Sequence, residues 1–200
     1  DSKVPAYMKA DATCVETVGQ SVNMPKWDAP GANCFRARGT LLFSELGKFI
    51  HGQAPYTTNW ASYISWIDIG MYGKYGEWDC SWCSNLASVS TKQQIIDWHT
   101  DNFSDIQLVI SAKVDPADPL EYALNKTSPN VYPIGWRTDC LGMAGYDDFD
   151  TNPLYANAWN SLGMKDRCKT APVIGEFCTQ TNGPDPAATE NDVANFHLSA

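Results

Sequence analysis

Apolar and polar positions alternate between helical and strand-like spacing from residue 41 to the end of the chain. Apolar residues at helical spacing predict helices over residues 41–50, 91–103, 118–126, 154–165 and 187–199. Short apolar runs between them predict strands over residues 63–70, 106–112, 131–137 and 172–177. This alternation indicates an α/β fold with parallel strands and crossover helices.

The helix and strand boundaries carry local signals, and the N-terminal region does not. Ser90 is the predicted N-cap of the second helix, and Pro119 opens the third in its first turn. Residues 1–35 are rich in Pro, Gly, Asp and Asn and are predicted to form a long loop, with room for a fifth strand. The predicted strands make up about half of a (β/α) barrel. A half-barrel leaves two open sheet edges, which further strands have to cover. We therefore expect residues 1–200 to form one barrel domain that is incomplete at both ends.

Charge and hydropathy exclude several classes of partner. The net charge is −9, with 14 Lys and Arg against 23 Asp and Glu, and no basic run occurs. Nucleic-acid binding depends on Lys and Arg at phosphates, so we expect no nucleic-acid partner. No apolar run reaches the roughly 18 residues that a membrane span needs.

Seven cysteines indicate an oxidising compartment. Cys80 and Cys83 form a CxxC motif, but no second pair completes a zinc site and no strand-to-helix context supports a redox motif. Structural disulfides are therefore the favoured interpretation. Other plausible pairs are Cys14 with Cys34 and Cys140 with Cys178. The odd count leaves one thiol free or paired outside the chain.

Two N-glycosylation sequons agree with passage through a secretory pathway. They are Asn102-Phe-Ser104 and Asn125-Lys-Thr127. Together with the cysteines, they predict a secreted, extracellular glycoprotein.

Two glutamates stand where an apolar run gives way to a loop. Glu77 ends the run from Ser65 to Trp78, and Glu176 ends Ala171-Pro-Val-Ile-Gly-Glu176. In a (β/α) barrel the carboxyl ends of all strands meet at one face, so two such carboxylates can come together. A pair of carboxylates in an aromatic-lined cleft is the minimum equipment for cleaving a glycosidic bond.

Three motifs in order resemble a known family. They are Asp68-Ile-Gly-Met-Tyr-Gly-Lys-Tyr-Gly-Glu-Trp78, Gly135-Trp-Arg-Thr-Asp-Cys-Leu-Gly142 and Ala171-Pro-Val-Ile-Gly-Glu176. With Val4-Pro-Ala-Tyr7 and Pro25-Lys-Trp-Asp28, they are similar to the family called "domain of unknown function 4832". Its members are TIM-barrel proteins similar to clan A glycoside hydrolases.

The resemblance implies a fold and two catalytic residues. The chain would span roughly the third to seventh βα units of a (β/α)₈ TIM barrel, with strand four at residues 63–70 and strand seven at residues 172–177. Glu77 then matches the acid/base at the end of strand four, and Glu176 matches the nucleophile at the end of strand seven. Clan A enzymes usually have Asn before the acid/base, whereas this chain has Gly76.

Further side chains near these motifs are candidates for binding substrate. They are Asp68, Tyr72, Trp78, Trp136, Arg137 and Asp139. Aromatic rings in polar loops, among them Trp82, can stack on the apolar faces of sugars. Arg137 can pair with Asp139 or Glu176, or grip an acidic sugar, and a structural ion pair is an equal alternative.

Other titratable residues have simpler interpretations. His99 is predicted to be a surface or packing residue of its helix. Asp147, Asp148 and Asp150 lack the spacing of a calcium loop, so no metal and no cofactor is predicted.

Two functions remain open at the level of sequence. The first is a retaining glycoside hydrolase acting on a polysaccharide or glycan through Glu77 and Glu176. The alternative is a non-catalytic barrel that binds carbohydrate, or a scaffold that other chains or missing segments complete in an extracellular assembly.

Overall fold

The computed structural model describes residues 4–18, 22–73, 76–78, 80, 83, 85–111, 118–138 and 161–175. Within these ranges the chain forms a parallel sheet with helices and a separate antiparallel hairpin. No helix of this described part is both long and apolar enough to cross a bilayer.

Four parallel strands form the main sheet, as the alternating pattern predicted. They are β3 (Ile67–Ile69), β4 (Leu108–Ser111), β5 (Gly135–Thr138) and β6 (Val173–Gly175). Their order in space is β3-β4-β5-β6, the same as their order in the chain. Each strand begins later than predicted, because the residues at the predicted starts lie in the connections rather than in the ladder.

The two faces of the sheet differ in chemistry. The register and the alternation of side chains put a mixed polar and apolar set on one face: Asp68, Val109, Ser111, Gly135, Arg137 and Ile174. The opposite face carries the large buried apolar side chains Ile69, Leu108, Ile110, Trp136 and Val173, together with the buried Thr138. This apolar face joins the buried side chains of the helices in one hydrophobic cluster.

Three helices contribute buried side chains to that cluster. They are α2 (Phe35–Ile50), α3 (Val89–Asn102) and α4 (Asp118–Asn125). α3 packs between α2 and α4. The N-cap of α3 is Ser88, whose Oγ accepts a hydrogen bond from the amide of Thr91 at 3.3 Å, so the prediction of Ser90 was wrong by two residues.

The N-terminal region has more structure than the predicted loop. It contains α1 (Ala6–Lys9) and an antiparallel hairpin of β1 (Val15–Val18) and β2 (Val22–Pro25). A disulfide joins Cys14, just before β1, to Cys34, the residue that precedes α2, and confirms the predicted pair. A second disulfide joins Cys80 to Cys83, as the structural interpretation of the CxxC motif predicted.

The last helix of the described part is the short α5 (Met164–Arg167), which precedes β6. The Nε atom of Arg167 donates to the carbonyl of Ile134 at 2.6 Å and so ties this segment to the start of β5. The predicted pair of Cys140 with Cys178 lies outside the described residues, as do most of the predicted helix at 154–165 and all of the one at 187–199.

Candidate functional site

The loop after β3 folds back onto the strand that it leaves. The indole Nε1 of Trp78 donates to the carbonyl of Ile69 at 2.5 Å, and the amide of Trp78 donates to the carbonyl of Tyr72 at 2.9 Å. Tyr72 and Glu77 form a parallel β-bridge. Glu77 is therefore held beside the carboxyl end of β3, although it is eight residues further along the chain.

The backbone on both sides of Glu77 is in the left-handed region. Gly76 has φ +84° and Trp78 has φ +68°, and Met71 at the other side of the loop has φ +83°. Positive φ at residues other than glycine is uncommon and persists only where the surroundings hold it. A Cβ on Gly70 would lie 3.0 Å from the carbonyl oxygen of Gly76, so the two ends of the loop are in close contact. The half-buried Glu77 thus stands on a tightly constrained turn.

A buried ion pair crosses the polar face of the sheet next to this loop. Nε of Arg137 on β5 lies 2.8 Å from Oδ2 of Asp68 on β3, and the side chains are 6% and 29% exposed respectively. β4 lies between the two strands, so the pair spans three strands. The structural ion pair considered for Arg137 is therefore present, with Asp68 as the partner. Pairing of Arg137 with Asp139 or Glu176 is untested, because both lie outside the described residues.

Three aromatic rings that were candidates for binding substrate belong to the core. Tyr72, Trp78 and Trp136 are each 1% exposed. The Tyr72 ring packs against Trp27 at 4.9 Å and Trp78 at 5.7 Å between centroids, and the ammonium of Lys92 lies 5.1 Å from its centroid. Stacking on a sugar needs an exposed ring face, so this burial does not favour that role. The position of these rings instead explains how the loop is held.

His99 on α3 supports the start of the same loop. Its Nδ1–H donates to the carbonyl of Ile95 at 2.8 Å, and its Nε2 accepts from the amide of Gly70 at 3.4 Å. Burial lowers the pKa of His99 to about 4, against the opposing effect of the Ile95 hydrogen bond, so the ring is neutral at pH 7. Of the two roles predicted for His99, surface or packing, its burial shows the packing one, and the link to Gly70 is new. The i, i+4 spacing of Ile95, His99 and Phe103 is the sequence signal for this buried face.

Three of the predicted site residues lie outside the described part of the chain. Glu176 is the next residue after Gly175, the last of β6, and Asp139 is the next after Thr138, the last of β5. Trp82 lies outside the described residues too. Their roles stay predictions. Among the residues that are described, no three His, Cys, Asp or Glu side chains cluster closely enough to hold a metal ion.

No protein-family model, curated protein or solved structure matches this chain.

Proposed function

We propose that the chain is part of a (β/α)₈ barrel that hydrolyses glycosidic bonds at the carboxyl ends of its strands. The order of the four parallel strands supports this fold, because a barrel keeps the order of the chain, whereas a doubly wound sheet reverses it at a switch point. The helices cover the apolar face, as the outer layer of a barrel does. Under the resemblance to the family "domain of unknown function 4832", β3 and β6 are the fourth and seventh strands.

The observation that carries the proposed activity is the return of Glu77 to the end of β3. A loop closed by the Trp78–Ile69 hydrogen bond and by the Tyr72–Glu77 bridge holds Glu77 beside the carboxyl end of β3, which supports its match to the family's acid/base. Active sites of barrels lie at this end of the strands. Glu176 follows the last residue of β6 directly in sequence, which is the family's position for the nucleophile.

The reaction uses the two carboxylates in turn. The carboxylate of Glu176 attacks the anomeric carbon while Glu77 gives its proton to the leaving oxygen, and a covalent glycosyl-enzyme forms. Glu77 then takes a proton from a water molecule that displaces Glu176. The two inversions give net retention of configuration.

The ion pair next to the loop supplies a contact for the sugar. Gly76 stands where clan A enzymes usually have Asn, and its φ of +84° is one that favours glycine. A different residue must therefore hold the sugar hydroxyl that this Asn normally binds. Asp68 is suited to that role, because its side chain is 29% exposed and is held in place by Arg137.

The test compares two glutamine variants on substrates with good and poor leaving groups. The panel consists of aryl glycosides of both anomeric configurations and of unactivated oligosaccharides. We expect Glu176→Gln to abolish hydrolysis of every substrate. Glu77→Gln should lose hydrolysis of the unactivated substrates and keep more of it on activated aryl glycosides, which need no proton at the leaving oxygen.

Two controls make this test specific. Glu45→Gln, on the exposed side of α2, should leave every rate unchanged. Azide should restore turnover of the Glu77→Gln variant as a glycosyl azide, because a small anion needs no general base. Absence of hydrolysis in the parent chain, or equal rates in both glutamine variants and the parent, would contradict the proposed activity.

Exposed aromatic residues favour non-catalytic carbohydrate binding as the second candidate. Trp60, Tyr63 and Trp66 are 43%, 79% and 41% exposed and precede β3 at the opposite end of the sheet from Glu77. Exposed rings of this kind can stack on sugars, which buries apolar area. If this function holds, Tyr63→Ala weakens the binding of glycans in affinity electrophoresis. The parent chain then hydrolyses no glycan, and Glu77→Gln binds glycans as tightly as the parent.

A further inference from the structure

The two sequons lie at the ends of two helices but in different surroundings. Asn102 is the last residue of α3, and its Nδ2 donates to the carbonyl of Trp98 at 2.8 Å. Its Oδ1, Cβ and Cγ atoms lie 3.0 to 3.4 Å from the position that a Cβ on Gly47 would occupy. The side chain of Asn102 is thus packed into the contact between α3 and α2.

Asn125 has an open surrounding. It is the last residue of α4, and both Asn125 and Thr127, the third residue of its sequon, are exposed. A groove of about 660 Å³ runs beside it and is lined by Val89, Gln93 and Tyr122, among others. This volume falls within the roughly 300–1,000 Å³ of small-ligand sites.

We propose that Asn125 carries an N-linked glycan and that Asn102 does not. In the transfer, Nδ2 of Asn125 attacks the anomeric carbon of an oligosaccharide that is linked to a polyprenyl diphosphate. The new C–N bond forms as the C–O bond to the diphosphate breaks, the polyprenyl diphosphate leaves, and one amide proton passes to a base of the transferase. Nothing is oxidised or reduced, and the side-chain amide of Asn125 stays neutral.

Packing excludes the same modification at Asn102 in the folded protein. The Oδ1, Cβ and Cγ atoms of Asn102 already lie 3.0 to 3.4 Å from the Gly47 Cβ position, and its Nδ2 is hydrogen-bonded to the carbonyl of Trp98, so a sugar on Nδ2 would crowd both the Trp98 carbonyl and the contact between α2 and α3. A half-buried side chain held at these distances leaves no space beside α2 for a ring of that size. A chain glycosylated at Asn102 would therefore fail to bring α2 and α3 together.

The position of Asn125 also sets where its first sugar lies. Side chains three and four residues apart on a helix are neighbours, so Asn125 shares a face with Tyr122 and Glu121. All three line the groove. The first sugar therefore extends over the groove beside the ring of Tyr122.

The experiment locates the glycan by mass spectrometry. The chain is secreted from a eukaryotic host, and the folded monomer is digested and treated with an amidase that converts each glycosylated Asn to Asp. We expect conversion only in the peptide that holds Asn125. Thr127→Ala should remove the glycan mass from the intact protein, whereas Thr127→Ser, which keeps the sequon, should retain it.

The second sequon supplies the matched control. Ser104→Ala removes it without changing Asn102, and we expect the intact mass to show the same glycan as the parent. A glycan at Asn102 in the folded monomer, or an unmodified Asn125, would overturn the proposal. The result does not depend on the proposed hydrolase activity, because none of these residues belongs to the candidate site.

Discussion

His99 is a titratable group that folding keeps neutral. Its imidazole is buried between α3 and the start of the loop after β3, and burial lowers its pKa from 6.5 to about 4. Between these values the unfolded chain binds more protons than the folded chain, so the free energy of unfolding falls as the pH falls. The contribution of His99 is complete above pH 6.5 and is lost as the pH drops toward 4, a difference of about 3 kcal/mol. Urea unfolding between pH 7 and 4.5 should show this slope in the parent and a flatter one in His99→Gln.

His51 provides a control of opposite sign. Burial lowers its pKa, but the hydrogen bonds to Asp105 and Gly47 and the charge of Asp105 outweigh that effect and raise it. The stability that His51 contributes is therefore complete below pH 6.5 and is lost as the pH rises through the raised pKa. His51→Gln should flatten the pH dependence on that upper side and leave the acidic slope intact. If the free energy of unfolding of His99→Gln falls with pH as steeply as that of the parent on the acidic side, groups other than His99 cause the pH dependence.

Single residues differ in how well the sequence predicts them. The end of an apolar run at Glu77 predicts that this residue lies at the end of a strand. In the structure, the loop after β3 brings Glu77 back beside the carboxyl end of that strand. The burial of Trp78 and Trp136 does not follow, because an aromatic residue flanked by polar ones looks the same whether its ring is exposed or buried. The ring of Trp78 is buried because its indole donates a hydrogen bond to the carbonyl of Ile69. This geometry requires the left-handed backbone conformation of Trp78, which no sequence pattern predicts.

The contact between α2 and α3 depends on a glycine. A Cβ on Gly39 would lie 2.2 Å from the ring of Trp98, which is itself buried. In an exposed helix Gly→Ala stabilises by about 1 kcal/mol, but overpacking of this kind costs about 1–3 kcal/mol. We therefore expect Gly39→Ala to lower the free energy of unfolding, as measured by urea denaturation, despite the better helix propensity of alanine.

Gly47 on the same helix is the matched control. A Cβ there would lie 3.0 Å from Oδ1 of Asn102, against 2.2 Å from the ring of Trp98 for a Cβ on Gly39, so the clash is smaller. Gly47→Ala should therefore cost less than Gly39→Ala. Equal effects, or a more stable Gly39→Ala variant, would mean that α2 moves away from α3 at little cost.

Helices and strands whose apolar residues recur at regular spacing were predicted from the sequence. Features that depend on contacts between distant parts of the chain were not. The helices α2, α3 and α4 and the four strands follow from their apolar spacing. The hairpin at residues 15–25 was missed, although two alternating runs around Gly-Gln-Ser are a hairpin signal. The N-cap at Ser88 depends on Asp28, which accepts hydrogen bonds from the Ser88 amide at 2.8 Å and the Ser88 hydroxyl at 2.7 Å. No local pattern could select Ser88 over Ser90.

At the scale of the whole molecule, the Asp68–Arg137 pair joins strands that are not neighbours. Removing one partner of a buried pair costs more than removing one of an exposed pair, because the remaining charge stays desolvated. In a double-mutant cycle with Asp68→Asn and Arg137→Gln, we expect a coupling energy of about 1–3 kcal/mol from urea unfolding.

The pair of Lys48 and Glu45 on α2 gives the comparison for this cycle. Its side chains are 40% and 52% exposed with Nζ 2.6 Å from Oε1, and pairs of this kind contribute about 0.3–0.5 kcal/mol. The cycle with Lys48→Gln and Glu45→Gln should therefore show weak coupling that added salt removes. Similar coupling in both cycles would mean that burial does not strengthen the Asp68–Arg137 pair.

The Cys14–Cys34 disulfide ties the N-terminal hairpin to the helices that cover the sheet. It closes a loop with a sequence separation of 20, whereas Cys80–Cys83 closes one of only 3. Because a longer loop loses more entropy in the unfolded chain, replacing Cys14 and Cys34 by Ala should lower the free energy of unfolding by about 3 kcal/mol. Replacing Cys80 and Cys83 should cost less, and it should loosen the segment after Trp78 rather than the hairpin. Hydrogen exchange separates the two results, since the first variant should lose protection in β1 and β2. Unchanged protection there would show that the hairpin is held by its packing alone.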